Sequence, residues 1–273
     1  MSSYTNLDIE ILISTMNKKS LDFLIPMFPF SHYSNFSILI VNQTQEDYLL
    51  TSDYPNIRVI NSFEKGLSKS RNVAIQNATK QLCLIADDDI IYFSDFEKEI
   101  VNAFNTFSDA SIITFNHQRI GVDKPYKSEI NSYLHNEKSI YRVVSIEIAF
   151  KVNVIQEQNI KFDEIFGLGS IFETAEEFLF LRQGLKLNSK LYFWPSVIVS
   201  HPLKCSGEYH ADDRLVFARS ALFYKIKGNI AYLWLVKYLF FLIKNESINF
   251  KQCITKFRIG LLGIKRYKEI IKR

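Results

Sequence analysis

The sequence predicts an α/β fold built on a mainly parallel, doubly wound sheet. Three observations carry this. Short apolar runs of strand length recur through the first 115 residues, at 9–15, 36–43, 57–61, 82–87 and 111–115. Helical spacing of apolar residues falls between them, and strands alternating with helices imply parallel pairing. Several runs end in polar or acidic side chains, as strands do where the carboxyl edge of a sheet meets water. Hydrophobic residues make up 47% and charged residues 23% of the 273, which is enough apolar material for a core and rules out a disordered chain.

Ile9, Glu10, Ile11, Leu12 and Ile13 form a first buried strand ending in Ser14 and Thr15. A short helix from Ser20 is stopped near Pro26 and Pro29. The second strand ends in Asn42 and Gln43, and the third spans 57–61. Gly66 then opens the segment Leu67, Ser68, Lys69, Ser70, Arg71, Asn72, with Val73, Ala74, Ile75 and Ala78 at helical spacing. After the fourth strand, Ser94 and Glu97 have the spacing of a capping box, and Phe96, Ile100, Phe104 and Phe107 make one helical face. The fifth strand follows. Residues 116–139 show no period and are expected to form a loop over the site, and 143–150 read as a further strand. Gly167 and Gly169 sit in a loop spanning 162–170. Thr174 and Glu177 again have capping-box spacing, opening a helix through Arg182. A last strand over 191–200 is broken by Pro195, and His201 and Pro202 follow it. From about Leu215 the tail is helical and apolar, so two domains are expected, 1–210 and 211–273.

The chain is organised around Asp87, Asp88 and Asp89, which end the fourth strand. Three acids cannot sit in a core without partners, because buried charge is costly unless compensated. They therefore mark the open end of a sheet, where ligands bind in α/β folds. In extended backbone, residues i and i+2 face the same way, so Asp87 and Asp89 are placed to share a hard divalent cation with Asp88 turned aside; the alternative is a solvated acidic turn after a core strand. Cys83, Cys205 and Cys253 have neither paired spacing nor companion histidines, which argues for a reducing compartment and against zinc.

Taken in order, Ile13-Ser14-Thr15, the Gly66-to-Asn72 run, the triple-aspartate strand end, and the Gly167-to-Arg182 block with His201 beyond it resemble the family-2 glycosyltransferases of GT-A fold, bacterial surface-polysaccharide type. The resemblance covers roughly residues 8–207. It implies inverting transfer of a sugar from a nucleotide-diphosphate donor to a hydroxyl, with Mn²⁺ or Mg²⁺ as cofactor. It implies that Asp87 and Asp88 lie by the donor, with Asp87 near the ribose and Asp89 and His201 on the metal. It assigns Ser14, Thr15, Lys69 and Arg71 to the donor, with the cations facing the diphosphate. The acid pair Glu176-Glu177 matches the position of the catalytic base, with Glu177 the better match, although the usual residue there is Asp. Capping alone would also account for Glu177. Gly167, Leu168 and Gly169 fall on the acceptor side. Many members end the second strand in an Asp that reads uracil; here Asn42 and Gln43 hold that place, and an amide can both donate and accept. A UDP-sugar is the favoured donor, and a glycan or lipid-linked acceptor is expected.

The stretch 230–243 is very apolar, interrupted by Lys237 and flanked by Lys225, Lys227 and Lys244. It is shorter than the roughly 20 residues a span needs. Its Trp234, Tyr232 and Tyr238 suit an interface, so it is expected to lie on an anionic membrane or to pack as a protein helix. No basic-then-apolar leader opens the sequence, and a cytoplasmic enzyme at the inner face of the membrane is expected. The net charge of +4 is mild, and no nucleic-acid partner is expected. Two rivals stand beside this reading. A sugar nucleotidyltransferase would want a glycine-rich loop after the first strand, where the sequence has Met16, Asn17, Lys18 and Lys19. A catalytically silent glycan-binding or scaffolding relative would not need Asp87, Asp89 and Glu177 together.

Overall fold

The computed structural model describes residues 3–122, 124–202 and 211–272. The chain divides into two compact units, Met1–Phe162 with Glu177–Leu203, and Asp163–Glu176 with Lys204–Arg273. Segment 163–176, placed with the larger domain by sequence, thus groups with the C-terminal helices. The expected boundary at 210 and Cys205 lie outside the described residues.

The larger unit runs β1 (Ile9–Met16), α1 (Leu24–Met27), β2 (Ile38–Gln43), β3 (Ile57–Ser62), α2 (Leu67–Asn77), β4 (Leu82–Asp87), β5 (Ile91–Tyr92), α3 (Phe96–Thr106), β6 (Ile112–Arg119), β7 (Tyr133–Leu134), β8 (Ile148–Lys151) and α4 (Val152–Glu157), then α5 (Glu176–Lys186) and β9 (Leu191–His201). The strands form one sheet in the order β3-β2-β1-β4-β8-β6-β9-β5, with β7 also paired to β9. β1, β2, β3 and β4 are parallel neighbours, as the alternating pattern predicts. The Ile, Leu and Val side chains of β1, β2 and β4 are buried on both faces of the sheet, which is why these segments read as unbroken apolar runs, whereas edge strand β3 buries only Ile57 fully. Beyond β4 the sheet is mixed. β8 inserts antiparallel between β4 and β6, and β6 pairs parallel with β9.

Several local expectations are corrected. Residues 116–139 are not a loop over the site: β6 continues to Arg119, β7 adds an edge, and Lys127 and His135 are buried. Of the predicted strand 143–150 only the end pairs in the sheet, as β8 from Ile148, since a 3-10 turn occupies Ser145–Glu147. Pro195 does not break β9, because the register against β6 shifts opposite it, and a proline lacking an N–H is tolerated at such an irregularity. The capping box at Ser94 does not form. Asp95 precedes α3 without a side-chain cap bond. Glu97 is instead half-buried, and burial lifts its carboxyl to about 7.

His135 makes a pH-dependent contribution to stability. One ring nitrogen shares a 2.7 Å hydrogen bond with Thr114 Oγ1, and the other lies 2.8 Å from Ser139 Oγ. Burial, helped by the Lys127 charge, lowers its pKa to about 4. The unfolded chain, near 6.5, therefore binds the proton first, so stability is fully present above pH 6.5 and is lost as pH falls toward 4. That shift is worth on the order of 3 kcal/mol at most. His135→Gln is expected to flatten the fall in urea midpoint between pH 6.5 and 4; an unchanged slope would contradict the assignment.

The smaller unit packs α6 (Asp213–Lys227), α7 (Ile230–Lys244) and α8 (Phe250–Ile270). Gly228 ends α6 at φ 57°, a conformation glycine adopts without strain. α8 passes close to α6 at Gly263, where an added Cβ would meet the Phe217 carbonyl oxygen at 2.1 Å. Segment 163–176 is fastened to these helices by Phe172 against Phe217, by Asp163 with Lys225 at 3.0 Å, and by Glu173 with Arg214 at 3.3 Å.

Candidate active site

The sheet's chain path places the site. From β1 the chain moves outward through β2 to β3, then returns over α2 to β4 on the other side of β1. The connections diverge between β1 and β4, and the crevice at the carboxyl ends of such strands is where ligands bind. Ser14 on β1 is the register partner of Asp87 on β4, so the polar end of one strand faces the acids of the other.

The three acids separate. β4 ends at Asp87, and Asp88 and Asp89 form a turn before β5. The expected i, i+2 geometry therefore does not hold. Asp87 Oδ1 accepts from Arg71 at 2.9 Å. Asp88 Oδ2 accepts from Thr15 Oγ1 and pairs with the Lys18 ammonium at 2.9 Å. Asp89, the most exposed, faces His201 Nε2 at 3.8 Å. Partial burial, together with the charges of Asp87 and Asp88, raises the pKa of Asp89, while His201 pulls it down.

His201 is oriented by its other nitrogen. Nδ1 lies 3.0 Å from the Pro202 carbonyl, which can only accept, so Nδ1 carries a proton and Nε2 is the nitrogen turned toward Asp89. A carboxylate oxygen and an imidazole nitrogen facing one another are a pair that a divalent cation fits, with phosphate oxygens taking other positions. Asp87 does not complete the expected trio, because its carboxylate is bonded to Arg71. Among the described residues no group of three or more His, Cys, Asp or Glu side chains is arranged to hold a metal.

The sequence matches the model of the family described as glycosyl transferase family 2 over residues 16–162, more than half of the chain. The chain belongs to that family. Its fold is GT-A. Among solved structures, the chain is similar to S. aureus TarS 1–349, with a TM-score of 0.53 and 14% identity over 96% of this chain and 91% of that one. It is similar to the same protein in complex with UDP-GlcNAc, with a TM-score of 0.57 and 13% identity over 95% and 82%. The complex with UDP gives 0.53 and 13% over 91% and 79%. At such identities the likeness is one of fold. No curated protein matches the chain by sequence.

In this glycosyltransferase, several residues expected to touch the donor hold the site from beneath. The Arg71 side chain is 2% exposed, and it bonds Asp87 and, at 2.8 Å, Ser145 Oγ. It is a strut for Asp87 rather than an open phosphate contact. Ser14 Oγ accepts from Ser70 Oγ at 2.9 Å and is buried. Asn42 is fully buried. Its amide donates to the Lys18 carbonyl and to Asn61, and accepts from the Lys18 N–H, so it shapes the β1 loop and does not read a base. Lys69 reaches Glu64 at 2.5 Å.

Two cations were not singled out by sequence. Lys18 sits on the loop that Asn42 holds, and its pairing with Asp88 fixes its ammonium at the carboxyl edge. Arg119 is the register partner of His201 and lies over Tyr126 at 5.4 Å. The signal for Lys18 was its place just after β1; Arg119 had none, because β6 was expected to end four residues earlier. Glu176 begins α5 and is 7% exposed, while Glu177 is more open. Ala175 takes φ 65°, and α5 starts one residue later than a Thr174 capping box requires. Gly167 and Gly169 adopt φ 100° and 74°, and the turn around them is closed by the Gly167 N–H donating to the Phe172 carbonyl and the Phe172 N–H to the Ile165 carbonyl, leaving Leu168 exposed.

Proposed function

We propose that this glycosyltransferase moves a sugar, with inversion, from a nucleotide-diphosphate sugar to a hydroxyl of a growing surface glycan, carried on a lipid, at the cytoplasmic face of the membrane. A UDP-sugar is the favoured donor; the solved complexes of the similarly folded TarS with UDP-GlcNAc and UDP support that choice. The observation that carries the reading is the arrangement at the β1–β4 divergence. Three consecutive acids are each held by a different partner, Asp87 by Arg71, Asp88 by Thr15 and Lys18, and Asp89 opposite His201.

Arg71, which also donates to Ser145, holds Asp87 beside the donor. Lys18, anchored by Asp88, presents a positive charge to phosphate oxygens. Asp89 and His201 would hold a Mn²⁺ or Mg²⁺ ion, which when bound supplies positive charge against the diphosphate. Glu177 is the base. Its carboxylate takes the acceptor hydroxyl proton, the acceptor oxygen bonds to the anomeric carbon, and the bond from that carbon to the diphosphate oxygen breaks with the electron pair leaving on the diphosphate. Attack opposite the leaving group inverts the centre.

The reading is tested by thermal shift with a panel of nucleotide sugars, with and without Mn²⁺. A donor at a hundred times its Kd should stabilise the protein by about 2.7 kcal/mol. Asp89→Asn should lose most of the Mn²⁺-dependent part of that shift while keeping the ligand-free melting temperature. Equal Mn²⁺-dependent shifts in the variant and the parent would remove Asp89 from the cation site. No shift with any nucleotide sugar would overturn the donor assignment.

A further inference from the structure

α7 and α8 leave a large apolar surface outside the packing of the helical unit. α7 buries Ala231, Leu235, Tyr238, Leu239 and Leu242, and the last four of these pack with Val216 and Ile248. Its other face carries Ile230, Leu233, Val236, Phe240 and Phe241, from 42% to 74% exposed. α8 adds Phe250, Ile254 and Leu262, from 55% to 75% exposed and separated by four and eight residues, which sets them on one stripe. Single exposed apolar residues are ordinary; eight large ones on two helices that pack in one unit mark a surface that is covered in use.

The charge on the same helices says what covers it. Residues 225–272 hold eleven Lys and Arg against Glu246 and Glu269, in a chain whose net charge is only +4. α7 has no acid, and Lys237 and Lys244 are exposed on it, as are Lys251, Arg258, Lys265 and Arg266 on α8. A second copy would bring two strongly positive faces together, which like-charge repulsion opposes. An anionic surface is the complement. The stretch Asp213–Lys244 has the length and composition of a membrane-crossing helix. In the fold it is broken at Gly228 and Asn229 into two packed helices of 15 residues. Each is roughly 22 Å long, short of the roughly 30 Å hydrocarbon core.

We propose that this face of α7 and α8 docks on an anionic lipid bilayer, its apolar side chains in the headgroup boundary and its Lys and Arg on lipid phosphates, without crossing. Such binding combines apolar burial with attraction that salt screens. The inference stands apart from the assignment of the donor site, because its readout is binding and not transfer.

The test is flotation of the full chain with phosphatidylcholine vesicles, with and without phosphatidylglycerol. The chain should float with the anionic vesicles and not the neutral ones, and less as NaCl rises. The double variant Leu233→Asp/Phe240→Asp should bind at least about tenfold more weakly, since both the apolar and the charge contributions are reduced. These side chains are exposed, so helicity and melting temperature should hold. The variant Lys237→Glu/Lys244→Glu leaves the apolar face whole and should lose the anionic preference. Three results would each overturn the proposal: no flotation with anionic vesicles, equal flotation with both vesicle types, or sedimentation showing a dimer that Leu233→Asp/Phe240→Asp dissociates while neither protein floats.

Discussion

Glu177→Gln is expected to suppress sugar transfer by about 10²–10⁴-fold, the usual cost of losing a general base, roughly 3–5 kcal/mol of transition-state stabilisation. The amide keeps the size and shape of the side chain but cannot take the acceptor proton. Two structural facts favour Glu177 over its neighbour. Glu176 is 7% exposed, so its carboxylate is poorly placed to meet an incoming hydroxyl, whereas Glu177 is more open. α5 begins at Glu176 after Ala175 at φ 65°, so Glu177 is not at the third helical position that capping by Thr174 would require. The start of a helix also favours the ionised carboxylate that a base needs. Donor and Mn²⁺ binding should be unchanged in Glu177→Gln, because Asp87, Asp89 and His201 are untouched. Transfer by the parent, Glu177→Gln and Glu176→Gln at saturating donor is the measurement. Loss in Glu176→Gln alone would move the base by one residue, and full activity in both would take the pair out of the chemistry.

The β1 to β4 half of the sheet was legible because β1, β2 and β4 are buried on both faces, so each reads as an unbroken apolar run with a polar end. The acids were legible for the same reason: a core strand can stop in Asp87, Asp88 and Asp89 only where it meets water. What the acids do to one another was not legible. Their geometry depends on a turn at Asp88 and Asp89 and on partners distant in sequence, Arg71, Lys18 and His201. The donor list suffered likewise. Asn42 and Arg71 are of types that contact nucleotides, but polar side chains under a site are as necessary as those in it, and residue type alone does not separate the two. The region 116–151 was least legible, because β7 and β8 are short and polar side chains are buried among its apolar ones. Asn116, His117, Lys127, His135 and Glu147 give no hydrophobic period, yet all are buried.

That polar core is where the largest loss of stability is expected. Glu147 is fully buried, with Lys127 Nζ at 2.5 Å from Oε2 and His117 Nδ1 at 2.9 Å from Oε1. The Val144 N–H also donates to Oε2 at 3.0 Å. Burial alone would push the carboxyl up, but the Lys127 charge and the His117 bond more than offset it and hold Glu147 below its ordinary value. Lys127 is 2% exposed and lies over the Phe193 ring at 5.4 Å. Asn116 ties the two chain segments, donating to the Lys127 carbonyl and accepting from its N–H. The cluster thereby fixes the end of β6, which sets Arg119 in register with His201. Removing one partner strands the other charge in a dry interior, at about 3–5 kcal/mol. Glu147→Gln and Lys127→Met should each lose about that much, and the double variant far less than their sum, because it leaves no orphan charge. The measurement is urea unfolding at pH 7 in a Trp234→Phe background, so that the fluorescence of Trp194 reports the unit that holds the cluster. Additive losses would show that the two side chains act separately. A loss under about 1 kcal/mol in either single variant, the worth of an exposed pair, would show that the pair is hydrated after all.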